Sequence, residues 1–135
     1  MKILKIVFFL IIAYVGIVVL FESLLGYFQP DAGDTMVIST FDPDGTTHDR
    51  VVARLSSGEQ LFVAVNHWPR AWYRRLLENP RVRITFSGES GDYEVVEISG
   101  SEYDRINSEH SLGFLFRFLT GFPERKLLRL EPSQP

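Results

Sequence analysis

The sequence predicts a mainly β fold with α-helical additions: an N-terminal transmembrane helix, then a small six-stranded antiparallel barrel with two helices. Three observations predict it. The chain opens on one unbroken apolar run; short β-branched and aromatic segments then alternate with Gly, Asp and Pro turns; and two stretches at helical spacing each end at a proline, Pro80 and Pro123.

The apolar run carries no charged or strongly polar side chain from Ile6 to Phe21. With the flanks Ile3–Leu25 it extends about 23 residues, or about 34 Å as a helix at 1.5 Å per residue, against a hydrocarbon core of about 30 Å. A helix suits this setting because it satisfies its backbone hydrogen bonds internally. A cleaved signal peptide has a similar start, but its apolar core is usually about 7–15 residues and ends at small residues. Here Glu22-Ser23-Leu24-Leu25-Gly26-Tyr27-Phe28 follows. A soluble buried helix is disfavoured, since so short a chain cannot surround a helix that is apolar on every side. Lys2 and Lys5 precede the run, and Glu22, Asp31 and Asp34 follow it. The charge rule therefore expects a single-pass membrane protein with its N-terminus in the cytoplasm and its domain outside.

The organisation expected is an anchor at 1–28, a linker at 29–34 punctuated by Pro30 and Gly33, a barrel domain at 35–132 and a tail at 133–135. The domain holds no cysteine, so disulfides and thiolate metal sites are excluded. His48, His67 and His110 show no ligand spacing, and a net charge of −3 gives no reason to expect nucleic-acid binding.

Thr35–Phe41 reads as a strand running into the turn Asp42-Pro43-Asp44-Gly45. His48–Leu55 and Gln60–Val65 flank the loop Ser56-Ser57-Gly58-Glu59 as a hairpin. Both faces of Gln60–Val65 are apolar, as in a strand inside a barrel or under a helix. Pro69–Asn79 is a short helix with Trp72, Tyr73, Leu76 and Leu77 on one stripe. Arg81–Phe86 and Tyr93–Ile98 are strands separated by a turn over Ser87–Asp92. A helix is expected from about Ser101, burying Tyr103, Ile106, Leu112, Leu115, Phe116 and Leu119 until Gly121-Phe122-Pro123 stops it. Lys126–Leu130 is the closing strand. Six strands in antiparallel pairs suggest a closed barrel, which leaves no exposed edge.

The segment Phe62–Ile84 is the most specific. It holds Val65-Asn66, then Ala71-Trp72-Tyr73, then Leu76-Leu77-Glu78-Asn79-Pro80 and Val82-Arg83-Ile84. This order resembles the deazaflavin-dependent nitroreductase and quinone reductase family, a branch of the flavin-binding split barrels. Arg125–Pro132 also looks like that family's last strand, so the resemblance spans most of Val37–Pro132. It implies a split β-barrel that holds the deazaflavin coenzyme F-420, or FMN in related branches, and passes a hydride to a quinone or nitro-type acceptor. It further implies a coenzyme phosphate beside the turn before the second strand, here Gly45-Thr46-Thr47-His48-Asp49-Arg50. Gly45 and Arg50 suit that role. Thr46 and Thr47 stand where the family carries cations, and Asp49 adds a negative charge. The Asn66–Ala71 loop is shorter than the family's, and Arg70 replaces a common proline.

The candidate cofactor-binding residues are therefore Gly45, Thr46, Thr47, Arg50, Asn66, Trp72 and Tyr73. No catalytic residue is assigned and no metal is expected. Trp72 and Tyr73 could stack on a flavin-like ring, although their spacing with Leu76 and Leu77 favours core packing. Asn66 with His67 and Trp68 could line a pocket at the barrel rim or form an ordinary strand-to-helix turn. Arg70, Arg74, Arg75, Arg81 and Arg83 form a cationic cluster for which a solvated, ion-paired face, phosphate binding and lipid headgroups are the alternatives. The functions expected are a membrane-anchored oxidoreductase acting on a quinone-like substrate, or a relative that has lost the cofactor and binds a ligand or partner. No nucleophile–base pair or carboxylate dyad supports a hydrolase.

Overall fold

The computed structural model describes residues 1–27, 34–66 and 71–133. Residues 28–33, 67–70 and 134–135 lie outside the described residues. Helix α1 spans Lys2–Tyr27. Its segment Lys2–Leu25 has a mean hydropathy of 2.9 and is not buried by the rest of the chain, so it is long and apolar enough to cross a membrane.

The domain is built from β1 (Thr35–Phe41), β2 (Thr47–Ala53), β3 (Leu55–Ser57), β4 (Gln60–Val65), α2 (Ala71–Glu78), β5 (Arg81–Phe86), β6 (Glu89–Glu97), α3 (Gly100–Glu109), α4 (Phe114–Thr120) and β7 (Lys126–Pro132). One sheet holds all seven strands in the order β2-β1-β5-β6-β7-β4-β3, and every pairing is antiparallel. The sheet's two edge strands, β2 and β3, are one residue apart in the chain. The sheet is therefore curled, and the chain itself joins its edges at Arg54.

This differs from six strands in a closed barrel. The expected strand His48–Leu55 changes partner at Arg54: Thr47–Ala53 pair with β1, and Leu55 onward pairs with β4. Arg54 sits at the corner, its N–H donating to the Asp34 carbonyl at 2.9 Å and its guanidinium lying 4.2 Å from the Phe86 ring. The turn expected over Ser87–Asp92 is also tighter. Ser87 (φ 51°) and Gly88 (φ 80°) alone make it, a two-residue hairpin with both angles positive, so β6 starts at Glu89.

The expectation that β4 is covered on both faces holds. Val63 and Val65 join Met36, Ile38, Val82, Ile84, Leu128 and Leu130 inside the curl, where α2 inserts Trp72, Tyr73 and Leu76. Phe62 points the other way, into a second core with Ile98, Ile106 and Leu127 beneath α3. Leu77, placed on the buried stripe by spacing, is 62% exposed.

The single helix expected from Ser101 to Leu119 is two. Gly113 is extended (φ −67°, ψ 151°) and starts α4 anew. The break is held by His110, whose Nε2 lies 3.0 Å from the Ser56 carbonyl and whose own carbonyl accepts from Arg125 at 2.7 Å. Ile106 is fully buried as expected, but Leu115 is 69% exposed, because α4 leaves the barrel and packs beside α1.

Candidate functional site

The turn between β1 and β2 is set by its own carboxylates. Gly45 (φ 87°) supplies the left-handed residue and donates its N–H to the Asp42 carbonyl at 2.9 Å. The N–H of Thr46 donates to Asp44 Oδ1 at 2.9 Å, and this bond holds the Asp44 carboxyl below its ordinary range. Asp42 bridges the turn to α2: its Oδ2 lies 2.7 Å from His48 Nε2 and its Oδ1 3.3 Å from Arg75 Nε. Asp49 accepts from Ser39 Oγ at 2.6 Å. Thr46 and Thr47 are exposed.

Arg50 does not complete an anion pocket with this turn. Its Nη2 donates to the Leu25 carbonyl at 3.2 Å, at the C-terminal end of α1. That carbonyl is one of the last four of the helix, which have no partner within it, and a cation there also suits the helix dipole. A phosphate-bearing coenzyme does not fit the Gly45–Arg50 turn as built. The N–H groups of Gly45 and Thr46 are already given to Asp42 and Asp44, Arg50 is turned to α1, and three aspartates surround the position.

Asn66 takes part in a different arrangement. Its Oδ1 accepts from Arg125 Nε at 2.8 Å, while Arg125 Nη1 donates to Asn107 Oδ1 at 2.8 Å and to the His110 carbonyl. Arg125 thus pins the end of β4 to α3 and to the break after it. Burial lowers the pKa of Arg125, and among the described residues its bonds run to neutral oxygens. Tyr103 Oη donates to the Arg125 carbonyl at 2.9 Å. Beside this group lies a cleft of about 520 Å³ lined by Glu97, Ser99, Tyr103, Glu124, Arg125 and Lys126. Lys126 pairs with Glu124 at 3.0 Å and with Glu97 at 3.9 Å.

Trp72 and Tyr73 are buried in the inner core, which is the packing role their spacing favours. Burial pushes the Tyr73 phenol up, and the Glu97 carboxylate adds to that shift. The sequence-derived residues therefore fall into four places: an exposed acidic turn, a strand-to-helix contact at Arg50, the Asn66 end of β4, and the inner core, which takes Trp72 and Tyr73. Arg125, which opens the segment resembling the family's last strand, and Asn107 carry no site role by sequence; only the fold brings them to Asn66. Of the arginine cluster, Arg75 and Arg83 are ion-paired, the latter to Asp92 at 2.9 Å. Among the described residues no group of His, Asp and Glu could hold a metal ion.

No protein-family model and no curated protein matches this sequence. Solved structures do resemble it. HutZ, the heme storage protein from Vibrio cholerae, is 20% identical with a TM-score of 0.58, over 76% of this chain and 83% of that one. An F420-H2 dependent reductase, FDR-A, is 14% identical with a TM-score of 0.57, over 73% of this chain and 95% of that one. A putative pyridoxamine 5'-phosphate oxidase from Listeria innocua is 12% identical with a TM-score of 0.53, over 85% and 94%. The chain has the split-barrel fold. A heme storage protein and a reductase share this framework, so the split barrel by itself does not choose between those activities.

Proposed function

We propose that this chain is a membrane-anchored split barrel that binds a ligand or partner and holds no coenzyme phosphate at its β1–β2 turn. The observation that carries this reading is the state of that turn: its N–H donors are bound to Asp42 and Asp44, and Arg50 serves the end of α1. Bringing a phosphate beside three aspartates would add like charge at the turn. The cleft beside Arg125, at about 520 Å³, has the volume of small-molecule sites and is where this reading puts a ligand. The anchor is α1, supported by its length, its composition and its lack of covering residues.

A second reading keeps the chemistry of the resemblance: a deazaflavin- or flavin-dependent oxidoreductase that reduces a quinone- or nitro-type acceptor reaching the barrel from the bilayer. The likeness to an F420-H2 dependent reductase favours it. In that case the coenzyme supplies the hydride, and the chain binds and orients it.

The two readings separate by titration of the full chain, in detergent micelles, with oxidised and reduced deazaflavin and with FMN, followed by fluorescence. The binding-protein reading expects no saturable binding at up to about 100 μM, within the usual span of substrate affinities. Saturable binding that Thr46→Glu weakens would overturn it and establish the coenzyme at the turn. Position 46 is exposed, so the substitution tests the site and not the core.

A further inference from the structure

Helix α4 is short and almost wholly apolar, Phe-Leu-Phe-Arg-Phe-Leu-Thr, with no acidic residue in its first turn. A segment of this kind on a water-soluble domain would turn its apolar face inward. Here Phe114 is 74% exposed and Leu115 69%, and Phe118 and Phe122 are also exposed. The rings of Phe114, Phe118 and Phe122 lie 5.9–6.4 Å apart, so they form one continuous patch.

That patch continues the surface of α1. Tyr14 packs on Phe118 with ring centroids 4.9 Å apart, and Phe21 meets Phe116 at 5.9 Å. The Tyr14 hydroxyl donates to the Phe118 carbonyl at 2.9 Å. Seven residues of α1 separate these two contacts, which places α4 along about 10 Å of that helix.

The C-terminal turn of α4 is capped within the chain. Thr120 Oγ1 donates to the carbonyls of Phe116 and Arg117 at 3.0 and 3.1 Å. Gly121 N–H and Tyr14 Oη both serve the Phe118 carbonyl, and Phe122 N–H donates to Arg117 at 2.9 Å. These carbonyls therefore have partners within the protein, which a helix end in a bilayer requires. Arg117, the one cation of α4, is exposed, with its guanidinium 5.6 Å from the Phe122 ring.

We infer that α4 and Phe122 form a second membrane element, seated in the leaflet into which the C-terminal half of α1 passes. Its aromatic patch lies among the acyl chains, between the level of Tyr14, midway along the Ile3–Leu25 run, and that of Phe21. The inference rests on α1 being an anchor and extends it: the barrel is held against the bilayer at two places, which fixes its tilt.

The test uses the full chain in phosphatidylcholine–phosphatidylglycerol vesicles. The chain has no cysteine, so single spin labels can be introduced by Leu10→Cys in α1, Leu115→Cys in α4 and Glu89→Cys at the β5–β6 hairpin. Collision with oxygen, which partitions into lipid, is compared with collision with a water-soluble nickel chelate. The expected result is a deep label at 10, a shallower lipid-exposed label at 115 with an oxygen-to-nickel ratio several-fold above that at 89, and a water-exposed label at 89. A lipid-exposed label at 10 with a water-exposed one at 115 would overturn the inference and leave the anchor standing. A water-exposed label at 10 would remove the anchor and the inference together. Spin–spin broadening at 115, with neither reagent colliding, would show that a second copy of the chain covers α4 and would also overturn it.

Discussion

Arg50 donates from its Nη2 to the carbonyl of Leu25 at 3.2 Å, so a strand of the barrel supports the C-terminal end of the apolar helix. The contact joins residues 25 positions apart and is partly buried. Replacing Arg50 by Met keeps much of the side-chain volume and removes the charged donor. The expected loss is about 1–3 kcal/mol, the range for a hydrogen bond from a charged group. Urea unfolding of the full chain in micelles, followed by tryptophan fluorescence, reads it as a lower midpoint. An unchanged midpoint would show that the Leu25 contact contributes nothing.

Arg125 links Asn66, Asn107 and the His110 carbonyl. Arg125→Ala leaves these three oxygens without that donor in a half-buried place, so destabilisation of about 2–3 kcal/mol is expected. Arg125→Lys should restore little of it, because one ammonium cannot reproduce the planar fork that serves two directions at once. Thermal unfolding of the three proteins side by side checks the order: native chain, then Lys, then Ala close behind. Full rescue by Lys would show that charge alone matters at this position.

Ile106 anchors α3 in the outer core with Phe62, Ile98 and Leu127 and is completely buried. Ile106→Ala is expected to cost about 2–5 kcal/mol through lost burial and the cavity left behind. Leu115→Ala in α4 should change the stability of the barrel by far less in detergent, because the side chain is largely exposed there. Chemical denaturation of both variants measures the contrast, and equal losses would contradict the division between a core α3 and a peripheral α4.

What the sequence makes legible follows from how local each signal is. The alternation in β4 and the stripe Trp72-Tyr73-Leu76 report burial through neighbours a few residues away, and both are where the pattern puts them. The corner at Arg54 is different: nothing within His48–Leu55 breaks the strand, and the change of partner depends on β1 and β4 being present on either side. Leu115 and Phe116 carry a helical apolar pattern that suits a core and a bilayer equally, so composition alone could not tell which would cover them. At the candidate site, Gly45 and Arg50 have the residue types an anion needs. Their hydrogen bonds run instead to the carbonyls of Asp42 and Leu25, and the Leu25 contact crosses the linker. Asn66 was legible as a rim residue, while Arg125 is 59 positions away and is brought to it by the pairing of β4 with β7.

Tyr73 sets an alkaline limit on stability. Its hydroxyl titrates above the ordinary 10.0, first because it is buried and then because Glu97 places a negative charge nearby. The fold therefore favours the neutral phenol. Below about pH 10 both folded and unfolded chains carry the proton, and the contribution is fully present. As pH rises past that value the unfolded chain releases its proton while the folded one retains it, so stability falls with pH until the folded phenol ionises as well. Lys126 acts in the same direction: its hydrogen bond to Glu124, then the charges of Glu124 and Glu97, raise its pKa, and that contribution too is lost on deprotonation. Tyr73→Phe should consequently flatten the alkaline fall in the urea midpoint while changing the neutral value little. Comparing midpoints of the native chain and Tyr73→Phe at about pH 8 and about pH 11 reads the difference directly. If both proteins lose stability equally over that interval, the phenol of Tyr73 is not coupled to folding.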